Sequence, residues 1–245
     1  MSFPNVVHGH ENETFTDDST QRVPVGTKMI IEDGRAFRYA KADSTALVIA
    51  LLNQSAIPEV AKYADQSVTD DHAAGSTVIK TIGATTTDMA VDELVNGYFW
   101  SEQPAQIGPA QRIKSNTVIT LSANTGTITP YNPLAIALNG STDSDTISYI
   151  RNTWMNVKIH ATAEVAEVAG VTVCAVAAST WAWLQVSGPA KIQTSGSPVV
   201  GALVQAVGTA AGEVAIASAA TDVFVARFMS WVTSDEDGLF FLTIE

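Results

Sequence analysis

The stretch Lys28-Met-Ile-Ile-Glu-Asp-Gly-Arg-Ala-Phe-Arg-Tyr39 decides the fold class. Asp33-Gly34 supplies two residues that tolerate positive φ, as a type I′ turn requires. The arm that follows alternates Arg35, Phe37 and Tyr39 with Ala36, Arg38 and Ala40, the two-residue period of a strand. A β-hairpin is therefore predicted across residues 28–39.

The same pattern extends outward in sequence. Turn dipeptides recur at Asn96-Gly97, Asn139-Gly140 and Asp237-Gly238. The runs between turns are rich in β-branched residues: 76–82, 116–121, 126–129, 156–160, 170–174 and 239–244. Short strands separated by turn chemistry predict an all-β chain, built as a jelly-roll-like sandwich or β-barrel modules. Helical material is scarce. Ser44–Gln54 fits a short helix or a strand, and Pro58–Gln66 has a proline placed for a first helical turn.

Residues 1–22 read as a flexible, extended N-terminal arm ordered by a partner. They carry Glu11, Glu13, Asp17 and Asp18 without apolar periodicity. Phe3, Val6, Val7 and Phe15 are the side chains that offer an anchor, and they are candidate interface residues. The β domain then spans 23–245. A weak internal echo runs through it. Asn96-Gly-Tyr-Phe-Trp100 precedes Gly108-Pro109-Ala110, and Thr180-Trp-Ala-Trp183 precedes Gly188-Pro189-Ala190. Each reads as an aromatic strand, a Gly-Pro turn and a second strand. The echo means either two related β modules divided near 125–155 or one hairpin solution used twice.

Composition narrows the function classes. Among 245 residues, 13 Lys and Arg face 25 Asp and Glu, a formal net charge of −12. Duplex nucleic acid demands a basic stripe, and the chain has none. No apolar run reaches the roughly 20 residues of a membrane span. The N-terminus has no secretory h-region. Cys174 is the only cysteine, so a disulfide scaffold is excluded. Charged residues are only 16% of the chain, so the polar surface is largely Ser, Thr, Asn and Gln, which suits a protein kept in a permanent assembly.

Catalytic signatures are missing. There is no G-x-S-x-G elbow, Walker A loop, G-x-G-x-x-G or H-E-x-x-H. His8 and His10, near Glu11 and Glu13, have the residue types of a metal cluster but lie in a segment without rigid support. His72 follows Asp70-Asp71 in a polar loop, and His160 ends a predicted strand. Cys174 sits inside an apolar strand as a buried thiol. The spaced carboxylates Asp143/Asp145 and Asp235/Asp237 read as turn residues rather than calcium ligands. No cofactor and no enzyme activity are expected. Trp181 and Trp183 share one face of a strand. With Gln185 they form a sugar-stacking platform if open, or core or interface packing if covered. Trp100, Trp181 and Trp183 join the candidate interface residues.

Three segments, taken in order, resemble the head decoration or cement proteins of tailed bacteriophages. They are Val25–Tyr39; Asn96-Gly-Tyr-Phe-Trp100 with Ile107 and Arg112-Ile-Lys-Ser-Asn116; and Trp181-Ala-Trp-Leu-Gln-Val-Ser-Gly-Pro-Ala190. The arm is outside the pattern. The resemblance implies a non-enzymatic virion protein on the outer surface of an icosahedral head, with the major capsid protein as partner. A homo-oligomer is expected, a trimer ahead of a dimer, with no nucleic-acid or membrane partner. The competing expectation is a head-fibre or tail-associated module that grips host glycans.

Overall fold

The computed structural model describes residues 6–82, 88–101, 108–120, 126–141, 144–219, 222–230 and 236–245. Its regular structure is nearly all β. In chain order come β1 (Val6–His8), a 3-10 turn (Glu11–Thr14), β2 (Lys28–Ile30), β3 (Ala36–Ala42) and β4 (Leu52–Gln54). One helical turn, α1 (Val60–Tyr63), leads to β5 (Gln66–Ser67), β6 (Asp71–His72), β7 (Ile79–Thr81) and β8 (Tyr98–Ser101). Next are β9 (Gln111–Asn116), β10 (Gly126–Pro130), β11 (Leu138–Asn139) and β12 (Thr146–Ile150). The series ends with β13 (Met155–Ile159), β14 (Val168–Thr172), β15 (Trp181–Gln193), β16 (Leu203–Gln205), β17 (Ala215–Ile216), β18 (Phe224–Phe228) and β19 (Asp237–Thr243).

Two compact units result: Met1–Ile57 with Thr153–Glu245, and Pro58–Asn152. The echo suggested a division near 125–155. The chain instead crosses twice, so the second unit is an insertion. Strand pairing explains this. β4 and β13 are antiparallel neighbours, with Gln54 opposite Lys158, so the exit and re-entry points leave from adjacent strands of one sheet. The echoed segments also differ. β8 and β9 form an antiparallel pair, whereas β15 runs through Gly188-Pro189 as one 13-residue strand. Its pairing with β3 ends at Ser187, so the proline nitrogen falls where that neighbour has gone.

In the first unit, β3, β13, β4, β14 and β15 close a ring, because β15 pairs with both β14 and β3. A five-stranded ring leaves little interior. The cluster on one face of its strands is accordingly built of small residues, with Ala40, Ala42, Ala169 and Ala182 around Val157 and Leu184. The alternate residues Phe37, Tyr39 and Trp183 point the other way and pack with Met29 and Ile31. Beyond the ring, the second half of β15 continues a wall with β19, β18 and β16.

The hairpin of β2 and β3 forms in the predicted place with a different turn. Gly34 N–H donates to Ile31 O and Ile31 N–H to Arg35 O, and only Gly34 has positive φ, +86°. This is a type I turn followed by a bulged glycine, not type I′. Asp33 serves through its carboxylate, which accepts from Arg35 N–H at 3.0 Å and Arg35 Nε at 2.6 Å.

Residues 6–22 are not a free arm. β1 pairs in parallel with β2, and Val7 packs on the Phe37–Tyr39–Trp183 cluster. Asp18 and Trp181 exchange both backbone hydrogen bonds, at 2.7 and 3.0 Å. Asp17 Oδ2 accepts from Ala177 N–H and Thr180 Oγ1, both at 2.9 Å. The segment orders because the aromatic face of β3 and β15 needs a cover, and its own chain supplies one.

The second unit carries the sheet order β5-β12-β8-β9-β10-β7. Its ends meet: Val68 bridges Thr81, and Thr69 N–H donates to Lys80 O at 3.2 Å. The core contains Leu94, Phe99, Ile113, Ile119, Ile128 and Ile147.

Candidate interaction surface

Alternation along the outer wall of the first unit separates two sets of side chains. Val204, Ala226, Phe228, Phe240 and Leu242 face the core. The opposite set is open. Leu203, Arg227, Phe241 and Pro189 stand in one row across β16, β18, β19 and β15. Leu239 lies beside Lys191 in the next row, and Met229 N–H donates to Leu239 O. Phe241 keeps 38% exposure, Leu239 41% and Leu203 49%. Lys191 is tied to Asp237 at 2.5 Å. Arg227 has no carboxylate partner among the described residues. The wall is an ordered apolar face with a cation set into it, the composition of a protein contact.

The residues singled out from sequence are scattered. Phe3 lies outside the described residues, as do Ile107, Asp143 and Asp235. Val6 and Phe15 are exposed, Val7 is half-buried against the aromatic cluster, and Trp100 is half-buried on β8. Trp181 is half-buried, with Lys41 Nζ 5.1 Å from its ring centre and Asp18 paired along its backbone. Trp183 is only 4% exposed and meets Tyr39 at 4.9 Å, so it is a core residue and leaves the interface set. No open platform of Trp181, Trp183 and Gln185 exists, since Gln185 is buried and donates to Ser187 O and Pro189 O. Sequence reading missed the outer wall because residues 239–244 are apolar at nearly every position, so alternation does not say which face is open. A strand apolar on both faces was the available signal.

Several titratable groups are tied into local structure. Glu93 accepts from Lys62 Nζ at 2.8 Å, Tyr63 Oη and Ala90 N–H, with Arg151 Nη1 at 3.4 Å. Burial pushes its carboxyl up, but these donors outweigh burial and hold it below its ordinary value. Asp145 Oδ2 caps the turn at Asn139 N–H, 2.7 Å. His10 Nδ1 pairs with Glu32 at 3.1 Å on the surface. Among the described residues, no three His, Cys, Asp or Glu side chains converge on a metal position. Burial raises the Cys174 thiol.

A pocket of about 360 Å³ is lined by His160, Glu164, Val168, Phe224, Val225 and Ile244, among others. His160 Nδ1 lies 2.7 Å from Ala161 O; a carbonyl only accepts, so Nδ1 carries the proton. Burial lowers the imidazole's proton affinity, so the ring is neutral near pH 7. Its Nε2 is buried and has no hydrogen-bond partner among the described residues. No described helix is long and apolar enough to cross a membrane.

Comparison with known proteins returned no matching family model, no matching curated protein and no matching solved structure.

Proposed function

We propose that this chain is a structural virion protein that binds the outer surface of an icosahedral phage capsid and stabilises the head, without catalysis. The observation that carries the reading is the exposed apolar wall around Phe241, Leu239 and Leu203. The order of the three sequence segments that resemble decoration proteins supports it. Its partners are the major capsid protein and further copies of itself, with a trimer suited to three-fold positions. Burying the wall contributes about 25 cal/mol per Å² of apolar surface. Repetition over symmetric sites turns a modest contact into a large total. The acidic, charge-poor remainder of the surface resists nonspecific adhesion to nucleic acid.

The test is co-sedimentation of the purified protein with undecorated mature heads, with unexpanded proheads as control. Saturable binding to mature heads at a symmetry-matched stoichiometry is expected. A Leu239→Asp/Phe241→Asp variant should remain folded and lose binding. No sedimentation with either particle overturns the capsid reading.

A further inference from the structure

The second unit has a sheet face of different chemistry. Tyr98 on β8 stands opposite Arg112 on β9, and Tyr131 N–H donates to Arg112 O, so the three residues form one row. Both tyrosines are 47% exposed. Arg112 Cζ lies 4.7 Å from the Tyr131 ring centre. Asn96 Oδ1 accepts from Arg112 Nη2 at 2.7 Å and from Tyr131 Oη at 3.0 Å. The guanidinium and ring are thereby fixed before any ligand arrives. Trp100 and Lys114, each two residues along its strand from this row, share the face, while Phe99 and Ile113 between them point into the core.

Charge makes the face unusual in this chain. With 25 acidic residues to 13 Lys and Arg, most cations find a carboxylate. Among the described residues, Arg112 and Lys114 have none. Tyr98 and Tyr131 belong to positions two strand spacings apart, roughly 10 Å, a span that accommodates two linked pyranose rings. Exposed aromatic rings suit the C–H faces of sugars, and the remaining guanidinium donors suit a carboxylate in a fork.

We propose that the outer face of β8 and β9, with Tyr131, binds an acidic oligosaccharide, two successive sugars stacking on Tyr98 and Tyr131 and a sugar carboxylate held by Arg112 and Lys114. A single-stranded nucleic acid would use similar stacking. A phosphodiester strand needs a basic groove that follows its backbone, and among the described residues this face offers only Arg112 and Lys114, enough to hold one carboxylate of a uronide between the two stacking rings. This inference does not depend on capsid binding and survives its failure.

The experiment is calorimetric titration of the full chain with tetragalacturonate, with cellotetraose and a dT oligonucleotide as comparisons. Saturable binding of tetragalacturonate, stronger than cellotetraose, is expected. Tyr98→Ala and Tyr131→Ala should each weaken it about fivefold. Arg112→Gln should remove the preference for the acidic sugar while far-ultraviolet dichroism stays unchanged. Absence of tetragalacturonate binding, equal binding of the neutral sugar, stronger binding of the oligonucleotide, or affinity unaffected by the tyrosine variants would each overturn it.

Discussion

Tyr39 Oη donates a 2.9 Å hydrogen bond to Asp18 Oδ2 and accepts one from Arg22 N–H at 3.2 Å. One phenol on the ring's β3 thus pins the segment that covers it. Arg22 closes the arrangement with a 2.6 Å ion pair to Asp18. Burial pushes the Tyr39 phenol up to about 12, so it stays protonated and able to donate across the physiological range. Tyr39→Phe removes the pin without emptying the core. A loss of about 1 kcal/mol is expected. Amide exchange should accelerate first in residues 15–22, before the ring strands. Uniform exchange across the whole first unit would mean the segment is not held by this contact.

Deleting residues 1–22 gives a sharper result than a free arm would. The deletion removes β1 and exposes the face formed by Met29, Phe37, Tyr39 and Trp183. The truncated protein should lose several °C in Tm and bind a hydrophobic dye. A truncated chain as stable as the full one would restore the arm as an independent segment.

Glu93 is the charge on which the helical turn of the second unit depends. Glu93→Gln keeps the shape but leaves Lys62 and Arg151 short of a buried counter-ion. Breaking a buried pair from one side costs about 3 kcal/mol. Urea unfolding followed by exchange should place the loss in residues 58–152 and spare the ring of the first unit. Equal loss in both units would contradict the division at Ile57 and Thr153.

How much of this was legible in the sequence depends on the range of the interaction. The hairpin at Asp33-Gly34 is local, and it was found where the dipeptide put it. The turn type was not, because Asp33 spends its side chain on Arg35 rather than adopting positive φ. The all-β class follows from β-branched runs between turns. Long-range pairing left no local mark. Nothing in residues 52–54 or 155–159 announces that β4 and β13 are neighbours, so the inserted unit was invisible. The arm misled because its cover is intermittent: Val7, Asp17 and Asp18 touch the ring while the exposed residues between them look like a tail. Trp183 was ambiguous since a tryptophan on a strand reads alike in a core and at an interface. Tyr98, Arg112 and Tyr131 are separated by up to 33 positions, and only the ladder brings them together.

Stability should fall in two stages on acidification. The first comes from His160 and His72. Burial is the chief cause that lowers the folded proton affinity of each, so the unfolded chain binds these protons first. Their contribution is complete above the ordinary value of 6.5 and fades as pH drops below it. The second stage comes from carboxylates held below their ordinary values. Asp17 is lowered by Ala177 N–H and then Thr180, and Glu93 by donors that overcome its burial. Their contribution persists above the ordinary values of 3.8 and 4.5 and is lost below them. Tm measured from pH 8 to pH 3 should show both declines. His160→Gln should reduce the first and leave the second, and adding His72→Gln should flatten what remains; an unchanged upper decline in His160→Gln would remove His160 as a source.

Gly97 sets how closely β8 approaches β12, and so where Tyr98 stands. A Cβ there would lie 2.1 Å from Ile150 O and 3.0 Å from Leu94 O, both backbone atoms. Gly97 N–H donates to Leu94 O, and Gly97 O accepts from Ile113 N–H, both at 2.9 Å. The preceding Asn96 is held at φ +62°, so the turn has little freedom to swing away. Gly97→Ala therefore has to displace the strand itself. A cost of about 3 kcal/mol is expected, the upper range for overpacking. Because Asn96 also carries the hydrogen bonds that fix Arg112 and Tyr131, the displacement should reach that row. In a stable background the variant should lose tetragalacturonate affinity along with exchange protection at Tyr98–Trp100. Retained affinity with the expected loss of stability would show that the row tolerates movement of its strand, and that its geometry is set by Asn96 alone.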